Sequence, residues 1–222
     1  MNALPLTKSP SADTTYLYLV RHGATDANLM RPYVLQGRGI DLPLSKVGRE
    51  QASALGRYLV GQPFSRVYAS PMKRAVETGR SIASGRDRDV DTVDGLQECD
   101  VGQWEGMDWD SVMQQHPEHY RAFMDNPADV PYLGGESYRD VLRRVKVIIG
   151  NLLIRHRGET IAIVAHNVVN RTFLADLLGL ELRKAKDLKQ SNCCVNVIRY
   201  RNGETSLLTM NSVFHLGPRG NQ

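Results

Sequence analysis

Two histidines of this chain occupy matching places. His22 closes an apolar run in YLYLVRHGATDAN (16–28), with Arg21 before it and Gly23 after it, and His166 closes another in TIAIVAHNVVNR (160–171). An imidazole where a buried strand ends can be a nucleophile, a general acid or base, or a donor to an anion, although a lone one most often just satisfies a hydrogen bond. Here three more reactive side chains accompany the pair: Arg21 itself, Arg74 in ASPMKRAVET (69–78) and Glu98 in GLQECDVGQWEGMDWD (95–110). Two histidines, two arginines and a glutamate suit phosphoryl transfer without a metal. One imidazole attacks phosphorus, the guanidinium groups and the second imidazole neutralise the equatorial oxygens, and the carboxyl group handles the leaving-group proton. Metal-assisted hydrolysis would call for an HExxH pair or more carboxylates. Nucleotide and acyl chemistry would call for a Walker loop, a GxGxxG turn or a GxSxG elbow, and the sequence has none of these.

Placing five side chains around one point requires particular elements. Leu17, Leu19 and Val20, with two tyrosines, read as a strand covered on both faces, and Gly23 allows a bend after it. Thr160–Ala165 repeats that grammar. Two buried parallel strands that each deliver a histidine bring both to one carboxyl edge, where open α/β sheets bind ligands. Asn28 to Pro43, which holds Gln36, Gly37 and Arg38, reads as a loop able to fold over His22. Ser45 caps a helix running through Leu55 and Leu59 to about Gly61. A strand at Arg66–Ser70 leads to a helix expected to start at Pro71 with Ser70 as its cap, which puts Arg74 beside the free amides of its first turn. Val90–Val93 reads as a third strand. Leu96, Cys99, Val101 and Trp104 surround Glu98 in sequence and predict a carboxyl group whose pKa is raised by desolvation. Short helices broken at Pro117 and a loop from Asn126 to Gly135 form a cap over the site. Ser137 and Asp140 make a capping box for a long amphipathic helix, and Glu136 just before it can turn to the site or to solvent. Cys193–Tyr200 and Glu204–Asn211 read as a hairpin turning at Asn202–Gly203 that closes an antiparallel edge.

Composition narrows the function further. The 222 residues, 41% hydrophobic, suit one α/β domain. A net charge of +4 without a basic run does not call for nucleic acid, yet it is compatible with a small anionic substrate. Cys99, Cys193 and Cys194 form neither a CxxC pair nor an even framework, so free thiols and a reducing compartment are expected. Residues 1–15 read as a loose N-terminal tail without the apolar core of a secretory signal. With no apolar run near the ~20 residues that span a bilayer, a cytoplasmic location and no membrane partner are the expectation.

Taken together, LVRHGATDAN, ASPMKRAVET, LQECDVGQWEG, GGES and IVAHNVVNR resemble, in content and order, the histidine phosphatase superfamily of phosphoglycerate-mutase-like proteins. The resemblance spans Tyr16 to Asn211. It implies a three-layer α/β/α sandwich around a mainly parallel sheet with an antiparallel edge strand, carrying one active site and no cofactor or metal. It further implies that His22 is the phosphorylated nucleophile, that Arg21, Arg74 and His166 hold the phosphoryl group, and that Glu98 is the acid and base. Asn28 matches a position that contacts the phosphoryl group, Gln36 and Gly37 lie near it, and Asn167 stands on the pocket floor where many members have glycine. The domain then runs from 16 to 222, with 99–135 as a cap-like insertion. The activity implied is hydrolysis of a small phosphorylated metabolite through phosphohistidine, by a monomer or homodimer. A cofactor-dependent phosphoglycerate mutase is the alternative. Two features favour the phosphatase branch: the run QGRGIDLPLSKVGREQA, and a short span from Glu98 to Glu136 with Arg121 as its sole Lys or Arg, where mutases resemble one another in a longer, more basic segment. A module that merely binds an anion or a partner is the rival from another class. Such a module would have no physical need for both histidines and Glu98.

Overall fold

The structure is a computed structural model that describes residues 10–86 and 89–217. In chain order the elements are β1 (Thr14–Arg21), α1 (Asp26–Leu29), α2 (Lys46–Leu59), β2 (Phe64–Ala69), α3 (Lys73–Ala83), β3 (Val90–Thr92), α4 (Trp109–Gln115), α5 (Pro117–Asp125), α6 (Tyr138–Arg155), β4 (Thr160–Ala165), α7 (Asn167–Leu177), β5 (Val195–Arg201) and β6 (Glu204–Ser212). Short 3-10 helices occupy Gly102–Trp104, Leu182–Asp187 and Phe214–Leu216.

The strands form one six-stranded sheet in the order β3-β2-β4-β1-β5-β6. The first four are mutually parallel, whereas β5 pairs antiparallel with β1, and β6 antiparallel with β5. Alternation along the strands sorts the core into two layers. Leu17, Leu19, Ile161 and Ile163 face α6 and α7, joining Val141, Val145, Ile149, Val169 and Leu174. Tyr18, Val20, Ala162 and Val164 face α2 and α3, joining Leu55, Leu59, Ala75 and Ile82. The architecture is therefore the three-layer sandwich. Each fully buried Leu, Ile or Val contributes about 1.5–3 kcal/mol, so β1 and β4 sit at the most strongly held place in the fold. Their register sets Arg21 opposite Ala165, and the next residues, His22 and His166, leave the sheet side by side.

Several boundaries differ from the expectation. Strand β1 begins at Thr14, before Tyr16, because Thr14 and Thr15 pair with Arg201 and Tyr200 of β5, and the inward Thr15 hydroxyl shares its proton between the Leu153 and His156 carbonyls at the end of α6, both at 2.9 Å. Of the expected N-terminal tail, residues 1–9 lie outside the described residues. Helix α3 starts at Lys73, not Pro71: Met72 is extended at the cap, Ser70 Oγ accepts from its N–H at 3.4 Å, and the Lys73 N–H is taken by Asp41 at 2.8 Å. Strand β5 begins at Val195, not Cys193, since Cys193 is left-handed (φ 54°) and its N–H returns to the carbonyls of Arg21 and His22. The 3-10 helix at 182–187 had no counterpart in the sequence reading. The capping box at Ser137 and Asp140, the break before Pro117 and the turn at Asn202–Gly203 lie where the sequence predicts them. Among the described residues no helix is long and apolar enough to cross a membrane. Cys99, Cys193 and Cys194 are buried free thiols, and burial pushes all three above their ordinary pKa.

Candidate active site

The turn leaving β1 is held on every side. The His22 N–H donates to the Ala165 carbonyl (3.1 Å), and the His22 carbonyl accepts from Cys193 N–H (3.2 Å) and Asn192 Nδ2 (3.0 Å). The Gly23 N–H donates to Thr78 Oγ1 (3.0 Å), and the Ala24 N–H to Gln51 Oε1 (2.9 Å). Helix α2 presses so closely on this turn that a Cβ on Gly48 would lie 1.9 Å from the Ala24 carbonyl oxygen, which only glycine permits. Fixed in this way, the His22 ring places Nδ1 2.7 Å from the Gly23 carbonyl. A carbonyl can only accept, so Nδ1 carries the proton and Nε2 presents its lone pair.

His166, at the cap of α7, lies across from it, the ring centroids being 5.1 Å apart. Both rings are buried, and His166 has no hydrogen-bond partner on either nitrogen. Desolvation, then the charges of Arg74 and Arg21, holds His22 well below the usual 6.5. Desolvation, Arg74 and His22 do the same for His166. Both imidazoles are therefore neutral near pH 7.

Arg74, only 1% exposed, donates through its two terminal nitrogens to the carbonyls of Ile40 and Gly37, each at 2.9 Å, and its Nε is left without a partner. Arg21 likewise spends one terminal nitrogen on the Gln190 carbonyl (2.6 Å) and keeps Nε free. The loop that receives Arg74 is itself fastened by Glu105, whose carboxylate accepts from the N–H groups of Gly37 (2.6 Å), Gly39 (3.1 Å) and Ile40 (3.2 Å). Gly37 has no room for a side chain there, since a Cβ would meet the Cys99 carbonyl at 2.6 Å.

Glu98 has the apolar neighbours the sequence indicated, yet its carboxylate is not stranded among them. It sits on the N-terminus of α7 and accepts from Asn167 N–H (3.0 Å) and Val168 N–H (3.2 Å), with Cys99 N–H (3.0 Å) as a third donor. Those α7 amides are groups a helix leaves unpaired, and its dipole favours a negative charge there. Glu136 does not face the site: it forms an ion pair with Arg144 (2.9 Å), which also donates to the Gly95 and Glu98 carbonyls. It braces the Glu98 loop from behind.

Arg21, Gln36, Glu98 and Asn167 line one cavity of about 490 Å³, whereas His22, His166, Arg74 and Gly37 are not among its walls, the two histidines being chain neighbours of Arg21 and Asn167. Gln36 is held there by Thr25 Oγ1 (2.7 Å), and the Asn167 side-chain oxygen has no partner. Asn28 is not among the cavity walls. Its Oδ1 accepts from Thr25 N–H (3.1 Å) and Asn192 Nδ2 (3.3 Å), closing the capping box of α1. Tyr33, Trp109, Phe123, Tyr132 and Tyr138 supply an aromatic wall, and Arg171, Lys186 and Asp187 line the cavity as well. Trp104, fully buried beneath, makes edge contacts with Trp109, Phe123 and Tyr132. The sequence reading missed Glu105, Tyr33, Arg171 and the 182–187 segment as contributors. For Arg171 a signal existed: it lies one turn after Asn167 on the same helix face. Among the described residues no group of three His, Cys, Asp or Glu side chains is placed to hold a metal ion.

The arrangement can present a neutral imidazole nitrogen to an electrophile while arginine and imidazole N–H groups surround its oxygens. Comparison with known proteins points the same way. Residues 17–213 match the family described as the histidine phosphatase superfamily (branch 1). Phosphoserine phosphatase 1 of Hydrogenobacter thermophilus is 34% identical over 201 residues, covering 90% of this chain and 94% of that protein. Phosphoglycerate mutase-like protein 4 of Arabidopsis thaliana is 33% identical over 216 residues, 96% and 91% of the two chains. Among solved structures, Bacillus stearothermophilus YhfR superposes with a TM-score of 0.84 at 30% identity over 91% of this chain and 99% of its own.

Proposed function

Because the chain belongs to the histidine phosphatase superfamily, we propose that it hydrolyses phosphomonoesters of small metabolites by way of a phosphohistidine on His22. The observation that carries this reading is the set of buried donors around His22 with nothing to bind: Nε of Arg21, Nε of Arg74 and the one ring N–H of the neutral His166, neither of whose nitrogens has a partner. A buried polar group without a partner costs about 1–3 kcal/mol, so several converging on one point indicate a ligand that supplies their acceptors. A phosphoryl group does so with its three equatorial oxygens.

In the first step His22 Nε2 attacks phosphorus, the ester P–O bond breaks, and Glu98, entering in its protonated form, hands its proton to the departing alkoxide and is left as the carboxylate. In the second, Glu98 takes a proton from water as that water attacks phosphorus, the P–N bond breaks, and phosphate leaves. Arg21, Arg74 and His166 stabilise the charge on the equatorial oxygens in both steps. Asn28 offers its Nδ2, and Gln36 and Gly37 shape the loop over the group, while Asn167 forms the floor. No step needs a metal ion. Residues 99–135 act as the cap of the domain, supplying Val101, Trp109, Phe123, Met124 and Tyr132 to the substrate cavity.

Turnover of alkyl phosphomonoesters in oxygen-labelled water tests the proposal. Label should enter the released phosphate, base quenching should retain phosphoryl groups on the protein, and His22→Ala should abolish both. Rapid isomerisation of phosphoglycerate with negligible phosphate release would make the protein a mutase. Retained turnover in His22→Ala would overturn the assignment altogether.

A further inference from the structure

Every other arginine reaching into the interior around this site is engaged. Arg21 and Arg74 bind backbone carbonyls, and Arg144 binds Glu136 and two carbonyls. Arg171 is the exception. It is half-buried on α7, its Nε is shielded from solvent, and its guanidinium has neither a hydrogen bond nor an ion pair among the described residues. The cavity it lines contains two carboxylates, Glu98 and Asp187, and neither pairs with it. Glu98 is committed to the amides of Cys99, Asn167 and Val168. A guanidinium carries five donors in a planar fork that matches a carboxylate; here Nε is cut off from water without a partner, and the terminal nitrogens find no acceptor among the described residues of the cavity that Arg171 lines.

Arg171 stands one helical turn, about 6 Å, beyond Asn167, whose N–H marks the position of Glu98. An anion held by Arg171 therefore lies a few bonds beyond the ester oxygen that Glu98 protonates. Tyr33 and Tyr138 lie within the electrostatic reach of Arg171 and line the cavity with it, and with Trp109 and Phe123 they give that part of the cavity an apolar wall that strengthens an ion pair. We infer that Arg171 forms a second anion subsite for a carboxylate on the alcohol portion of the substrate, which makes the preferred substrates phosphate esters of short hydroxy acids. This rests on the hydrolase reading above and adds to it which esters are chosen. Arg171 acts in selection, not in bond breaking.

The test uses a matched pair, 3-phosphoglycerate and glycerol 3-phosphate, which differ in a carboxylate against a hydroxymethyl group. Wild-type kcat/KM should favour the carboxylated ester by on the order of 10- to 100-fold, the ratio expected of one charge-assisted pair. Arg171→Gln should bring that ratio close to one, and Arg171→Lys, which restores the charge without the fork, should recover part of it. A wild-type ratio near one, or equal losses on both esters in Arg171→Gln, would overturn the subsite. Calorimetric binding of the same two compounds to His22→Ala, with and without Arg171→Gln, reads the subsite without turnover. If the wild-type chain hydrolyses neither these two esters nor any other alkyl phosphomonoester, the hydrolase reading fails. The subsite then stands or falls on whether the carboxylated compound binds at least tenfold tighter through Arg171.

Discussion

Replacing Glu98 with glutamine separates its structural place on α7 from its proposed role as general acid. The carboxylate offers one oxygen to Cys99 N–H and the other to Asn167 N–H, with Val168 N–H lying 3.2 and 3.3 Å from the two. A carboxamide has a single acceptor oxygen. Whichever way it is turned, its NH2 group faces either Cys99 N–H or Asn167 N–H, donor against donor. At a side chain only 5% exposed, one orphaned amide costs about 1–3 kcal/mol. In a chain of this size each kcal/mol lowers Tm by about 2–4 °C, so Glu98→Gln should melt roughly 2–12 °C below wild type. Catalysis should suffer independently. A positioned general acid contributes about 10²- to 10⁴-fold, and an alkyl ester, whose alkoxide leaves poorly, should show that whole loss in kcat. An aryl ester with an acidic phenol needs little protonation to depart, and its phosphorylation step should fall far less. Calorimetric melting and burst kinetics on the two ester types provide both readouts. A variant with unchanged Tm would refute the place of Glu98 on α7, and equal losses on alkyl and aryl esters in the burst would refute its role as acid.

Two further outcomes follow from the same site. Chelator should leave the rate unchanged and vanadate should inhibit, because its five-coordinate oxygens suit the free donors of Arg21, Arg74 and His166. Vanadate at 100 times its Kd should add about 2.7 kcal/mol of stability, and activity lost in chelator and restored by a divalent ion would contradict this. His22 and His166 are held well below 6.5 in the folded chain, whereas both titrate near 6.5 when it unfolds. As pH falls below about 6.5 the unfolded chain binds more protons than the folded one, so stability drops, with a limiting contribution from the pair of about 2.7 kcal/mol per pH unit. His166→Asn should make the fall between pH 7 and 5 shallower by one proton's share, and an unchanged slope in pH-dependent melting would refute the neutral pair.

Much of this was legible in the sequence because the informative signals were local. TIAIVA and LYLV are apolar at every position, so they had to be strands covered on both faces, and that alone put His22 and His166 at one edge. The Ser137–Asp140 box and the break at Pro117 are equally local. The sequence predicts the start of α3 two residues early because Ser70 and Pro71 form a good start in isolation. Asp41, 32 residues away, takes the Lys73 amide and moves the start. Glu105 and the 182–187 segment were not legible for the same reason, and Arg171 was marked only by its place one turn after Asn167. A glutamate in a glycine-rich loop and an arginine on a helix are ordinary until the fold decides what faces them.

The placement of Glu98 shows how long-range support alters a correct local reading. Its apolar neighbours alone predict a carboxyl group stranded by desolvation, whereas the fold answers the burial with three amides, two of them from the helix that starts just after His166. One helix start thereby fixes the second imidazole and the carboxylate together. A turn farther on, the same helix positions Arg171. The spacing between His166 and Arg171 is set by the rise of α7, and the first amides of the same helix anchor the Glu98 carboxylate that its own loop brings there. A substitution that shifts the start of α7 should therefore disturb proton transfer, phosphoryl binding and substrate choice at once.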